Sequence, residues 1–448
     1  MTSTSPHQQP LACLLPKVAT AIEAVKNAHA PLAKALSSIA SGRPAYERAA
    51  LQAILYDWAR RRVFCECVLN ELVARRPPQA CANILEASIS LLVSGAYPAF
   101  TIVNEAVKAV RFSGKTSRYD GLTNAVLRRA SRELNSLTAK LETNPTVKFN
   151  TPLWWFRKVR ESQPERALDI LLLQQKRPPM TLRVNQRRCS TDDYIKQLDS
   201  HDIQARKIAP NAVVLSHPIP VVEIPGFCEG IVSIQDAGAQ LAAHLLPIRS
   251  GMRVLDACAA PGGKTCHLLE MHSNIDLTAF DIDATRCRMI RENLDRLKLS
   301  AKVLAVNASN PKDWPQAARF GAILLDAPCT ASGTVRRNPD VPWSRRPSDI
   351  SSLCLEQRRI LEVSWEHLEP NGHLLYCTCS IFPEEGPAQM DAFVRRHPDA
   401  ELVPFPGAPG GMLTLLPRDC DPVPSEDAFG LCGPHDGFFY ALLRKTPD

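Results

Sequence analysis

From Gly251 onward the sequence alternates short apolar runs with helical stretches, which demands a parallel sheet covered by helices. The runs Arg253–Asp256, Leu277–Asp281, Val303–Val306, Ala322–Asp326 and His373–Cys377 are the expected strands. Upstream, Pro16 to Leu141 is helical in pattern. Between Arg48 and Arg76, residues Leu51, Ile54, Leu55, Trp58 and Val63 recur near three-to-four spacing, with Arg60, Arg61 and Arg62 clustered at one turn. Ile84 to Val93 is more apolar and predicts a central helix closed by Gly95 and Pro98. Val103–Val110 and Leu122–Leu134 add two more helices, the latter carrying the basic pair Arg128 and Arg129. Between Asn144 and His244 prolines recur, and Thr181–Val184 and Ala212–Leu215 read as strands of a small α+β connector. The 448 residues exceed one ordinary core, so the expected domains are 1–143 (all-α), 144–243 (α+β) and 244–448 (α/β, Rossmann-like).

Hydrophobic residues make up 45% and charged residues 22%, the balance of a soluble globular protein. Charges or prolines break every apolar run short of a membrane span, and Met1 to Pro10 lacks the order of a secretory signal. A cytoplasmic protein with no membrane partner is expected. The 15 cysteines contain no C-x-x-C; the close pairs are Cys65/Cys67 and Cys377/Cys379, which argues against structural zinc and predicts no metal. Free thiols are expected in a reducing compartment. Residues 1–145 hold 18 Lys/Arg against 10 Asp/Glu, while the remainder is nearly balanced. That asymmetry suits a polyanion, and suits equally a solvated basic surface.

The run Val254 to Thr265 takes a buried strand into the turn Cys258, Ala259, Ala260, Pro261, Gly262, Gly263 and Lys264, which opens a helix. Glycines there let backbone N–H groups approach a ligand, and a helix N-terminus favours an anionic group. The next strand ends in Asp281, an acid placed for ribose hydroxyls. Gly263-Lys264-Thr265 ends like a phosphate-binding loop, but Cys258 stands where that loop needs glycine, and G-x-G-x-x-G is absent. By elimination S-adenosylmethionine is the expected cofactor.

Leu325-Asp326-Ala327-Pro328-Cys329 and Tyr376-Cys377-Thr378-Cys379 place Cys329 and Cys379 just past strand ends, on the edge that bears the cofactor turn. Cytosine C5 is a poor nucleophile, and adding a thiolate at C6 turns the ring into an enamine that can attack a sulfonium methyl group. Amine methylation needs no thiol, so paired cysteines favour carbon as the acceptor. Asp326 is placed to hydrogen-bond the N3/N4 edge of the base, which must be unpaired or flipped out to reach it. The residues alone leave open which cysteine attacks. Cys377, two residues before Cys379, reads as core.

Cys258–Lys264, Asp326–Cys329 and Thr378-Cys379-Ser380, in this order, resemble the NOL1/NOP2/Sun family of RNA cytosine-C5 methyltransferases. Gly333 through Asp340 and Asp436 through Tyr440 resemble the same family. Arg183-Val184-Asn185 and Pro225-Gly226-Phe227 through Gln235-Asp236 look like its connector, and Asn124 through Arg129 is similar to a NusB-like RNA-binding domain. The three-part arrangement resembles that of the bacterial branch of this family acting on small-subunit ribosomal RNA. The resemblance implies Cys379 as nucleophile, Cys329 assisting proton removal or release, and the cofactor on the 258–264 turn, Asp281, Asn307 and Asp326. It also implies phosphate contacts from Arg336 and Arg337, joining Arg128 and Arg129 as RNA-binding candidates, and action on one cytosine of 16S ribosomal RNA; nothing in the sequence calls for more than a monomer.

Some positions depart from the family. Asn307 stands where an acid is usual near the adenine amino group, Thr330 where serine is common, and Gly386-Pro387 in place of Asn-Glu. Competing readings are the same chemistry on transfer RNA, an idle RNA-binding assembly factor, and a DNA cytosine methyltransferase. The last would leave Cys379 without a task.

Overall fold

The computed structural model describes residues 9–28, 30–112, 114, 116–315, 318–419 and 430–447, which group into two compact units. The first holds residues 1–161, 167–176 and 335–345. It is helical: Leu11–Asn27, Leu32–Ala40, Ala45–Ala59, Arg62–Leu72, Gln79–Ser94, Ala99–Phe112 and Asp120–Leu141 are its main elements. Pro10, Pro31, Pro44 and Pro78 each stand immediately before a helix, where a missing N–H costs nothing. The stretch Arg48–Arg76 breaks at Arg61 (φ −132°), so the arginine cluster marks a joint between helices. Gln79–Ser94 runs through the centre, buried from Cys81 to Leu91, and Gly95 ends it in the left-handed region (φ 64°). Its Glu86 is fully buried and accepts from Lys26, Arg76 and the indole of Trp58.

Val335–Arg345 lies far along the chain yet belongs to this helical unit. Arg60 Nη2 donates to the Arg336 carbonyl at 2.9 Å, Leu32 N to Asp340 Oδ2 at 2.9 Å, and Trp343 Nε1 to the Asn150 carbonyl at 3.1 Å.

The second unit contains both sheets. The smaller is antiparallel, built from β1 (Thr181–Val184), β2 (Ala205–Ala209), β3 (Ala212–Leu215) and β4 (Val232–Ile234) in the order β2-β3-β1-β4. The larger has parallel strands β5 (Arg253–Asp256), β6 (Asp276–Asp281), β7 (Lys302–Ala305), β8 (Phe320–Asp326) and β9 (Leu368–Thr378). Antiparallel strands β10 (Ala400–Leu402), β11 (Met412–Leu415) and β12 (Phe438–Lys445) extend it, giving the order β10-β12-β9-β8-β5-β6-β7 with β11 against β12. This mostly parallel sheet, covered by helices, is Rossmann-like. Its strand order reverses beside β5, where such folds open a crevice at the strand C-termini. Among the described residues, no helix is long and apolar enough to cross a membrane.

Candidate active site

β5 ends at Asp256, and the turn that follows enters the helix Gly263–Met271. Gly262 has φ +99°, and a Cβ there would lie 3.1 Å from the Ile290 Cα, so glycine is required. Asp256 is fully buried and its Oδ2 accepts from Thr265 Oγ1 at 2.6 Å. Burial pushes its pKa up to about 7, Asp326 adds to the rise, and the Thr265 bond opposes it. Asp281, at the end of β6, accepts from Ala260 N (3.2 Å) and Asp283 N (3.1 Å) and meets Arg286 at 3.5 Å. It therefore shapes the turn as well as edging the crevice.

The crevice is a cavity of about 260 Å³. The predicted Cys258, Ala260, Asp281, Asn307, Asp326, Cys329 and Cys379 all line it, joined by Ile282, Arg286, Val306, Pro328, Glu356 and Ile360. Asn307 Oδ1 accepts from Ser309 N (3.1 Å) and Oγ (2.9 Å), which fixes its orientation. Lys264 reaches from the turn to Asp326, Nζ to Oδ2 at 2.5 Å. Burial opposes the lysine charge, but the adjacent carboxylate outweighs it and raises its pKa.

Registration of β8 with β9 sets Asp326 beside Cys377. Cys377 is fully buried, and its thiol lies 3.4 Å from Asp326 Oδ1. Burial holds that thiol well above its ordinary pKa. Past the end of β9, Cys379 is half-buried, and its Sγ stands 3.4 Å from that of Cys329. The contact with Cys379, then burial, pushes the Cys329 pKa well up.

The sequence reading did not single out the group that holds these loops. Glu385, fully buried, accepts from Thr330 N (2.8 Å), Thr330 Oγ1 (2.5 Å), Ser380 Oγ (2.6 Å) and Gln357 Nε2 (3.1 Å). It ties the Cys329 loop to the Cys379 loop. The available signal was Pro383-Glu384-Glu385 following Ser380, but an acid in a polar loop reads as solvated until its burial is known. Gly386 packs on Phe439, where a Cβ would come 2.9 Å from the ring, so this departure from the family is a close approach of chain to ring.

Arg183, on β1, reaches the turn that follows β5. Arg183, fully buried, donates to both oxygens of Glu270 (2.8 and 2.7 Å), to Gln235 Oε1 (2.7 Å) and to the Gly263 carbonyl (2.7 Å). Asp236 caps the helix Ala237–Leu245 and accepts from Asp436 N at 3.1 Å. The Gly333 carbonyl accepts from Gly437 N at 2.9 Å, an approach so close that a Cβ on Gly333 would strike the Gly437 backbone.

None of the RNA-binding candidates lines the cavity. Arg128 and Arg129 are exposed, and Arg129 pairs with Glu133 at 2.9 Å. Arg337 is half-buried and Arg336 is only 2% exposed, so its guanidinium is not at the surface. Arg132, missed in the sequence, shares a groove of about 300 Å³ with Arg128, Asn104 and the exposed Phe100; its spacing from Arg128 on one helix face was the available signal. Among the described residues, no group of His, Cys, Asp and Glu is arranged to hold a metal ion.

Comparison with known proteins adds independent findings. Residues 243–444 match the model of the 16S rRNA methyltransferase RsmB/F family, and residues 151–222 match the RsmF/B-like ferredoxin-like domain. The chain is 38% identical to ribosomal RNA small subunit methyltransferase B of Vibrio cholerae over 409 residues, covering 89% of this chain and 90% of the relative. Against the protein of the same name from Pseudomonas putida it is 36% identical, covering 95% and 97%. The solved structure of PH0851 superposes with a TM-score of 0.74 at 24% identity, covering 98% of this chain and 99% of that one. A methyltransferase homologue from Pyrococcus horikoshii gives 0.54 at 28% identity, covering 67% and 97%. By its sequence relatives across nearly its whole length, this chain belongs to the 16S rRNA methyltransferase RsmB/F family.

Proposed function

We propose that this chain methylates C5 of a cytosine in small-subunit (16S) ribosomal RNA, with S-adenosylmethionine as methyl donor. Family membership supports an S-adenosylmethionine-dependent ribosomal RNA methyltransferase. The observation that carries the C5 reading is the pair of thiols, Cys329 and Cys379, 3.4 Å apart on the wall of the cavity that also holds Asp281 and Asn307.

The residues fit the cofactor. The turn 258–264 offers backbone at a helix N-terminus, Asp281 suits the ribose, and Ile282, Val306, Pro328 and Ile360 offer apolar surface to a purine. When bound, S-adenosylmethionine supplies an electrophilic methyl group. The chain's residues prepare the base that receives it. Cys379 Sγ bonds to C6, and the thiol proton ends on N3, whose edge Asp326 engages while Lys264 steadies that carboxylate. Once C5 carries the methyl group, a base takes the C5 proton, the C6–S bond breaks with its electron pair left on Cys379 Sγ, and the N3 proton returns to that thiolate. Cys329, whose Sγ lies 3.4 Å from that of Cys379, is placed to assist removal of the C5 proton or release of Cys379.

On this reading residues 1–143 form a NusB-like RNA-binding domain using Arg128 and Arg129, and 144–243 a connector. Residues 244–448 form the catalytic domain, with the half-buried Arg337 and not the buried Arg336 toward phosphate, in a cytoplasmic monomer. The test is transfer of labelled methyl groups to protein-free small-subunit RNA, wild type beside Cys379→Ala, with the product nucleoside identified. 5-Methylcytidine from wild type alone is the expected result. Transfer only to transfer RNA would overturn the substrate, and no transfer to any RNA would overturn the activity.

A further inference from the structure

The cavity wall contains more hydrogen-bond acceptors than the reaction uses, and they differ in what already occupies them. Both oxygens of Asp281 take backbone donors, from Ala260 and Asp283. Asp326 is engaged by Lys264 on one oxygen and faces the Cys377 thiol with the other. The Asn307 oxygen carries two donors from Ser309. Because one of those is a backbone N–H, which can only donate, the amide cannot turn over to present its oxygen elsewhere without losing that bond and setting its NH2 against the Ser309 N–H.

Glu356 is different. It lies on the helix Pro347–Glu366, one turn before Ile360, and both line the cavity. Its carboxylate is about one-third exposed and meets only Arg359, an exposed side chain, at 3.6 Å among the described residues. A purine lying against Ile282, Val306, Pro328 and Ile360 presents its exocyclic amino group as a donor at the ring edge. Of the cavity carboxylates, Glu356 is the one not already taken by a hydrogen-bond donor.

Resting on the cofactor reading above, we propose that Glu356 accepts the adenine amino group, so that this helix, and not the Asn307 loop, selects adenine. A carboxylate there attracts an amino group and repels the carbonyl oxygen of a deaminated purine.

The test is calorimetric binding of S-adenosylhomocysteine and S-inosylhomocysteine to the full chain. Wild type is expected to prefer the adenosyl ligand by at least about tenfold, the size of a hydrogen bond to a charged group. Glu356→Leu should weaken adenosyl binding about tenfold and bring the two ligands within about twofold of each other. Glu356→Gln retains an acceptor oxygen and should keep part of the preference, and Asn307→Ala should keep it all. Discrimination intact in Glu356→Leu, or abolished in Asn307→Ala, would overturn the proposal. Wild type binding neither ligand would overturn the cofactor reading itself, and the proposal with it.

Discussion

Cys329 Sγ and Cys379 Sγ stand 3.4 Å apart although 50 residues separate them, because β8 and β9 are adjacent parallel strands whose C-terminal loops meet. The turn 257–262 leaves β5, the neighbour of β8 on the other side, so the three loops share one edge of the sheet.

On the proposed mechanism, Cys379→Ala is expected to lower methyl transfer by at least about three orders of magnitude, since it would remove the bond to C6. Cys329→Ala is expected to retain addition but stall release, leaving a protein–RNA complex that survives denaturing electrophoresis. The same complex in Cys379→Ala would reverse the assignment.

Glu385→Ala should destabilise the protein by about 2 kcal/mol or more in urea unfolding, because donors from Thr330, Ser380 and Gln357 lose their buried acceptor. Methyl transfer should fall through kcat more than through the cofactor KM, since the loops it joins carry the cysteines. Glu385→Gln, with one acceptor oxygen left, should fall between.

Arg183→Met leaves Glu270 buried without its partner and should cost roughly 3–5 kcal/mol. Adding Glu270→Leu should recover much of that stability. Cofactor affinity should stay reduced in the double variant, because the Gly263 carbonyl still lacks its Arg183 donor.

Asp256 carries a pKa raised from 3.8 to about 7, so the folded protein keeps a proton that the unfolded chain releases. Its contribution to stability is therefore full below about pH 4 and is lost as pH rises through about 7. Asp256→Asn keeps an acceptor for Thr265 without an ionisable proton. Thermal melts of this variant should show a smaller decline between pH 5 and 8, by an amount on the order of a few kcal/mol. An unchanged pH profile would show that Asp256 is ionised throughout.

Much of the catalytic half was legible locally. Strand and helix differ in period, and β5 through β9 each carry a dense apolar run, so the elements and the direction of the sheet followed from pattern alone. The turn at Gly262 was legible because few residues tolerate its backbone.

What no local pattern carried was which polar groups would be buried and what they would meet. Glu385 and Arg183 look like surface charges in the sequence; only strand order and loop packing remove them from water and make each the acceptor or donor for several partners. Arg336 reads as a phosphate ligand beside the catalytic loops, yet its segment packs with the helical unit and buries it. Periodicity is a property of neighbours along the chain, and so it specifies strands, helices and turns. Desolvation and hydrogen-bond pairing arise between residues tens to hundreds of positions apart, and those are decided only when each unit folds.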